Sequence, residues 1–302
     1  MMSLTIHRAL VTAVRRLTPG MARVTLGGPD LAGYPTTGVG DEYVRLFFPH
    51  EGEAEPELPQ ATERGGWSWE EEQRPAPMRT YTIRSVNAAA RTVDIDFVVH
   101  DGGVAAAWAL AAKPGDVVGM TSPTGLYELP TNARWQILVA DAAGLPAAAR
   151  LVEQTPPGVR TRVVLEVVDP HHRQPISLGD PARDEAELTV EWVYAGNGHT
   201  PSRLDAVIRE LELPEEPGYL WFAGETGVMR AVRKNLRHER KLPNGTYTTV
   251  GYWTHRAEEL RQRWEALDEE TRTRLYRMWD DESRDIEEIT DDYHAQLERL
   301  GL

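Results

Sequence analysis

Cysteine is absent from the 302-residue chain. That removes disulfides, thiolate nucleophiles, thiolate zinc sites and cysteine-ligated iron–sulfur clusters together. No apolar run approaches the roughly 18 residues that cross a bilayer, so no integral membrane segment is expected. The N-terminal stretch MMSLTIHRALVTAVRR alternates apolar with polar residues, as a strand does, and has no signal-peptide core. A cytoplasmic protein fits these absences. Positive charge is scarce as well: 33 Lys and Arg face 47 Asp and Glu, a net charge of −14. That balance disfavours nucleic acid and anionic membranes as general partners. G-x-G-x-x-G and Walker loops are missing, as is any Ser–His–Asp arrangement. His171-His172 are adjacent and point apart, unlike a metal pair at i, i+4, and no metal site is expected.

The length suits about two domains. Residues 1–130 read as short strands: Leu4–Arg16, Met21–Gly27, Glu42–Pro49, Arg79–Val86, Thr92–Val99 and Asp116–Ser122. Turn signals such as Thr18-Pro19-Gly20 and Lys113-Pro114-Gly115-Asp116 separate them. Six such strands predict a small antiparallel β-barrel. Residues 51–78, rich in proline and glutamate, read as a long mobile loop. From 131 to 253 apolar strands (Trp135–Ala140, Arg162–Val168, Leu188–Tyr194, Tyr219–Ala223, Thr246–Trp253) alternate with helices (Leu145–Gln154, Pro201–Leu211, Thr226–Lys241). That rhythm predicts an α/β domain with a parallel sheet, its ligands beyond the carboxyl ends of the strands. Residues 254–302 show helical spacing in Leu260, Trp264 and Leu267, then Leu275, Met278 and Trp279, then Ile286, Ile289, Tyr293, Leu297 and Leu300. Two or three amphipathic helices should form this C-terminal extension.

The string RTYTIR, Arg79 to Arg84, carries the sharpest chemistry. On a strand, Arg79, Tyr81 and Ile83 share one face and Thr80, Thr82 and Arg84 the other. A flavin dinucleotide wants a guanidinium on its phosphates, an aromatic plane against its ring and a hydroxyl at its polar edge. An ordinary strand with a surface Arg–Thr pattern accounts for six residues equally well. A second stretch runs Asp96-Phe97-Val98-Val99-His100-Asp101-Gly102-Gly103-Val104-Ala105-Ala106-Ala107-Trp108. Its paired glycines allow close backbone approach, and the helix that follows offers free amides to a phosphate. Ala223-Gly224-Glu225 precedes a helix bearing Arg230, Arg233, Lys234 and Arg237. Gly251-Tyr252-Trp253 closes the last strand.

In this order the motifs resemble the siderophore-interacting proteins, FAD-dependent ferric-siderophore reductases related to ferredoxin–NADP reductases. The resemblance covers about residues 5 to 256. It includes R-x-Y-T-x-R at Arg79–Arg84, D-F-V-x-H…G-G…W from Asp96 to Trp108, A-G-E at Ala223–Glu225 and G-Y-W at Gly251–Trp253. Thr121-Ser122-Pro123-Thr124-Gly125 stands where the family tends to have S-G-P-R-G, and Asp141–Ala147 where it has D-E-T-A-L-P-A. Ala106, Thr124 and Ala142-Ala143 depart from the pattern.

The resemblance implies FAD as cofactor and NADH or NADPH as reductant, with NADH favoured by the acidic tail. A separate ferredoxin is the alternative donor. The substrate implied is a ferric siderophore, hydroxamate or catecholate, and the chain a monomer or homodimer. It implies Tyr81 and Thr82 as the catalytic pair at the flavin. Flavin and nucleotide contacts would come from Arg79, Thr80, Tyr81, Thr82, Phe97, Val99, His100, Gly102, Gly103, Val104, Ala105, Trp108 and Thr121, then Asp141, Gly224, Glu225 and Trp253. Arg45, Arg230 and Arg233 would form a cationic rim for an anionic siderophore. A flavin or quinone oxidoreductase, and a flavin- or siderophore-binding protein without turnover, are the competing readings.

Overall fold

The computed structural model describes residues 5–62, 67–70, 73–99, 103–180, 187–281 and 283–302. The chain divides into two compact units, Met1–Tyr252 and Trp253–Leu302. The first unit opens with a closed barrel built from β1 (Ile6–Thr18), β2 (Met21–Gly27) and β3 (Tyr43–Phe47). The short strands β4 (Gln60–Ala61) and β5 (Trp67–Ser68) follow as a separate pair, and then β6 (Met78–Asn87) and β7 (Thr92–Val98). Helix α1 (Val104–Ala111) and strand β8 (Val117–Thr121) complete it. The barrel order is β1-β2-β7-β6-β3-β8, and β8 closes on β1. All of its pairings are antiparallel.

Alternation explains this half. Ala22, Val24 and Leu26 on β2 and Val44 and Leu46 on β3 are buried, and their odd-numbered neighbours Arg23, Thr25 and Arg45 are not. Val24, Leu26, Val44 and Leu46 meet in one core with Ile83, Ile95, Phe97, Val118 and Met120. The loop expectation for 51–78 needs correction. Within its described part, β4 pairs with β5, and Trp67 lies edge-on to Phe47 at 5.6 Å. Phe47 points out of the barrel and would be a bare ring on the surface without that cover.

The α/β half runs β9 (Trp135–Ala140), α2 (Leu145–Glu153), β10 (Arg160–Val167), β11 (Leu188–Tyr194), α3 (Leu204–Glu210), β12 (Gly218–Glu225), α4 (Thr226–Lys234) and β13 (Tyr247–Trp253). The sheet order is β11-β10-β9-β12-β13, with β9, β10, β11 and β12 mutually parallel. β9 is buried at every position, as a strand covered on both faces must be. Order reverses between β9 and β12, which makes the carboxyl ends of those strands the switch point. The helix expected to reach Lys241 ends at Lys234 and passes into a π-helical turn, Asn235–Glu239. There Arg240 donates to Asn235 Oδ1 at 3.1 Å and to the Ile208 carbonyl at 2.7 Å, so that part of the basic run is structural.

Barrel and sheet are pinned together by buried charge. Glu42, fully buried, accepts from Thr36 Oγ1 and Thr37 Oγ1, both at 2.7 Å, from Thr37 N at 2.6 Å and from Arg150 of α2 at 2.8 Å. Arg150 also donates to the Ile83 carbonyl at 2.9 Å. Next door, Asp41 accepts from the Leu126 and Tyr127 amides, both at 3.0 Å, and from Trp221 Nε1 at 3.3 Å. Arg84, the last residue of RTYTIR, forks onto Glu153 of α2 and belongs to the same seam.

The second unit holds α5 (Ala257–Glu265), α6 (Glu269–Arg277) and α7 (Ile286–Arg299). Leu275, Ile289 and Leu297 are its buried residues, and ring pairs Trp264–Tyr276 (5.8 Å) and Trp279–Tyr293 (5.3 Å) flank them. Asp268 caps α6 through the Thr271 amide at 2.7 Å. Among the described residues no helix is long and apolar enough to cross a membrane.

Candidate active site

β6 carries the first cluster. Its register sets Arg79 against Leu46, Thr80 against Arg45, Tyr81 against Val44 and Thr82 against Tyr43. Tyr81 leans inward as the alternation predicts. Its ring lies 4.3 Å from Phe97 and 6.5 Å from Phe48. Burial pushes its hydroxyl pKa up, opposed by Arg79, so Tyr81 stays a neutral phenol near neutral pH. Trp108 of α1 joins the cluster at 5.2 Å from Phe48 and 5.7 Å from Phe97. Phe97 and Ala105 are buried in the barrel core, so their side chains are closed to a ligand.

Two features of this cluster invite a polar ligand. Arg79 is exposed, and its one hydrogen bond among the described residues goes to the neighbouring Met78 carbonyl at 2.8 Å. Thr82 is buried, and among the described residues its Oγ1 has no partner in hydrogen-bond geometry. The Tyr252 hydroxyl approaches Thr82 without reaching hydrogen-bond geometry; burial pushes that phenol up, and Thr82 pulls it partway back. A buried hydroxyl without a partner costs about 1–3 kcal/mol, so the fold has reason to keep it only for something else.

Nearby, α1 begins at Gly103 with φ 108, a conformation that glycine tolerates, and no described side chain caps it. Val104 at its first position is exposed. These unpaired donors, cation and hydroxyl fit the diphosphate and polar ring edge of FAD. His100 and Gly102 lie outside the described residues. The Val99 amide is engaged by the Gly20 carbonyl at 2.8 Å, and Thr121 Oγ1 by the Arg45 amide at 3.0 Å. Thr80 is exposed on the outer face beside Arg45. Arg45 is exposed too, its guanidinium 5.0 Å above Trp67.

The switch point is built differently. Asp141, buried at the end of β9, accepts from the Ala143 amide at 2.9 Å and the Gly144 amide at 3.3 Å, and across to the Glu225 amide on β12 at 2.9 Å. Gly224 is required there: a Cβ on it would stand 2.8 Å from Asp141 Oδ2. Glu225 caps α4 by accepting from the Val228 amide at 2.9 Å. Arg230 and Arg233 are half-buried on that helix. Trp253 is the last residue of β13 and begins the second unit.

Sequence reasoning missed Asn197. This residue, at φ 56, accepts from the Ala142 amide at 3.0 Å and donates to the Glu166 and Ala195 carbonyls, both at 3.1 Å. It ties the first strand–helix turn to the loop after β11. Glu166 lies beneath that loop and accepts from the Arg203 amide at 2.7 Å. Burial pushes the Glu166 carboxyl up, and its Oε2, covered by Gly196, has no partner in hydrogen-bond geometry among the described residues. Among the described residues no cluster of His, Asp and Glu could hold a metal.

A closed antiparallel barrel leading into this parallel sheet is the ferredoxin-reductase architecture. The ferredoxin reductase of carbazole 1,9a-dioxygenase superposes with a TM-score of 0.57 over 83% of this chain and 70% of that one, at 17% identity, a likeness of fold alone. Family models narrow the class. Residues 10–127 match the siderophore-interacting FAD-binding domain and residues 133–256 the siderophore-interacting protein model, and the chain belongs to that family. Ferric vibriobactin reductase of Vibrio cholerae is 30% identical over 253 residues, 82% of this chain and 90% of that protein. The NADPH-dependent ferric-chelate reductase of Escherichia coli is 31% identical over 248 residues, 80% of this chain and 91% of its own. A siderophore utilization protein from T. fusca superposes with a TM-score of 0.72 at 33% identity, over 85% of this chain and 95% of that one.

Proposed function

We propose that this chain is an FAD-dependent ferric-siderophore reductase, driven by a reduced nicotinamide dinucleotide. The reading is carried by Thr82: a buried hydroxyl with no partner in hydrogen-bond geometry among the described residues, on the strand that also presents Arg79 and Tyr81. Residues 1–130 would hold FAD, residues 131–253 would receive the reductant, and residues 254–302 would be an appended helical extension. Arg79 and the amides opening α1 at Gly103 and Val104 take the diphosphate. Tyr81 lies against the isoalloxazine, and Thr82 donates to its polar edge. FAD, when bound, supplies hydride acceptance from the nicotinamide and single-electron delivery to iron. Arg45, Arg230 and Arg233 attract the anionic complex. The reading needs no iron ligand from the protein. Ferric iron is hard and held tightly by hydroxamate or catecholate oxygens, ferrous iron far more weakly, so one electron frees the metal.

The test begins with colour. Purified protein should be yellow and release FAD on denaturation. Anaerobic reduced nicotinamide should bleach it, and a ferrous-specific dye should then report iron from hydroxamate and catecholate complexes. A colourless protein that does not take up FAD defeats the reading. Bleaching without ferrous release leaves a flavin reductase for other acceptors.

A further inference from the structure

Several arginines of the α/β half are matched to acids: Arg150 to Glu42, Arg160 to Glu216, Arg162 to Glu191 and Arg209 to Glu239. Arg173 is set among rings instead. It follows a short turn, Pro170–His172, just past the carboxyl end of β10. It is exposed, and no carboxylate among the described residues pairs with it. Its guanidinium carbon stands 5.1 Å from the Tyr194 ring centroid and 5.8 Å from that of Trp192. Tyr194 is the last residue of β11 and 36% exposed.

Both flanks of Arg173 are anchored. His172 Nδ1 lies 2.9 Å from Asp169 Oδ1, and its ring leaves no room for a Cβ on Gly20, which would stand 2.7 Å from His172 Cδ2. Gln174 Nε2 donates to Met21 Sδ at 2.9 Å. A guanidinium over aromatic rings keeps N–H groups free to grip a phosphate. A cation with no acid partner among the described residues, in a chain of net charge −14, calls for an anion. Its place is the carboxyl edge of a parallel sheet, where open α/β sheets take nucleotides. β11 stands two strands from β9, on the order of 10 Å from the switch point, so a dinucleotide reaching outward from there arrives at this stack.

We propose that Arg173, set over the rings of Tyr194 and Trp192, binds the 2′-phosphate of the reductant's adenosine, so that the protein prefers NADPH to NADH. This rests on the reductase reading and reverses the preference expected from the acidic tail. Arg173 is the binding residue, and the two rings are positioning residues.

The experiment is anaerobic bleaching of the full-length flavoprotein by each dinucleotide, paired with calorimetric binding of 2′,5′-ADP and 5′-AMP. Wild type should bind NADPH and 2′,5′-ADP about tenfold or more tighter than their counterparts, the scale of a charged hydrogen bond. Arg173→Ala should erase that margin and leave NADH affinity and FAD content unchanged. Arg173→Lys should keep part of it, and Tyr194→Leu should lose part. Equal affinities in wild type overturn the proposal, as does an Arg173→Ala variant that weakens both dinucleotides alike. Should neither dinucleotide bleach the wild type, the reductase reading falls. The subsite is then judged by the two adenosine phosphates alone, and failure to distinguish them overturns it.

Discussion

The barrel cluster and the sheet edge solve opposite problems. Around Arg79, Tyr81 and Thr82, polar groups lack partners among the described residues: an orphaned hydroxyl, a nearly idle guanidinium and a helix that no described side chain caps. At the ends of β9 and β12, the chain supplies its own partners: Asp141 holds the Ala143, Gly144 and Glu225 amides, Asn197 the Ala142 amide and Glu225 the Val228 amide. Unpaired buried groups raise the free energy of the empty protein, and a ligand that satisfies them gains that energy back. The Asp141–Asn197–Glu225 turns at that edge are satisfied internally and leave a visitor mainly shape and charge, with Glu166 Oε2 and Arg173 as the exceptions nearby. Such a contrast suits a resident cofactor on one side and a reductant that must leave each cycle on the other.

The comparison presumes that the two regions are held in one register, and the largest expected effect breaks that. Glu42→Ala strands Arg150 and the Thr36 and Thr37 donors in the interior and should cost about 3–5 kcal/mol, read as a lowered urea midpoint. Arg150→Met leaves Glu42 with its threonine partners and should cost less. If the two cost the same, the seam depends on the ion pair alone. The pH dependence has a definite sign. Burial works to raise the Glu42 carboxyl, but bonds from Thr37, Thr36 and Arg150 outweigh it and hold it below the ordinary 4.5. The folded state therefore binds this proton less readily than the unfolded chain. The resulting stability is complete above the ordinary carboxylate value and lost as pH falls through the folded one. Glu42→Ala should flatten that acid limb of the stability curve.

A smaller effect sharpens the barrel side. Arg79→Ala should lower FAD affinity by about 2 kcal/mol, roughly 30-fold, measured by titrating apoprotein with FAD. Thr82→Val should do two things at once. The apoprotein should gain on the order of 1 kcal/mol because the unpaired hydroxyl is gone, and flavin affinity should fall. An apoprotein that loses stability would mean the hydroxyl already has a use inside the chain, and the contrast between the two regions would be gone.

Much of this was legible in the sequence, for reasons that name themselves. β2 shows its barrel face because apolar residues recur at every second position, and β9 shows two-sided burial because WQILVA has no polar alternation. RTYTIR could be read because three chemical types fall on known faces of one strand. The helix ending at Lys234 was read too long: the π turn at Asn235–Glu239 keeps helical spacing while changing the hydrogen-bond pattern. Asp41 and Glu42 looked like two more acids in an acidic chain. Their partners, Trp221 and Arg150, lie more than a hundred residues away and leave no local trace. Asn197 was hidden for the same reason, although Gly-Asn-Gly with three positive φ values marks a tight turn.

Asn197 also supplies the finest test of the contrast. If the sheet edge works because the chain satisfies itself, removing that one side chain should make the edge more demanding without touching the barrel. Asn197→Gly is the suitable variant, since glycine tolerates the left-handed conformation and the change isolates the hydrogen bonds. Loss of the bond to the Ala142 amide frees a donor at the first strand–helix turn, and the loop after β11 loses its tie. The expected outcome is a change of about 1 kcal/mol, some fivefold, in the apparent dissociation constant for the reduced dinucleotide. FAD affinity should stay fixed, and so should the rate of iron reduction by enzyme whose flavin was reduced with dithionite. Asn197→Ala should add a strain cost to stability on top of this, because alanine resists positive φ. A Gly variant that loses FAD in step with dinucleotide would show that the two regions are one polar network, and that the self-contained edge is an appearance of the hydrogen-bond pattern.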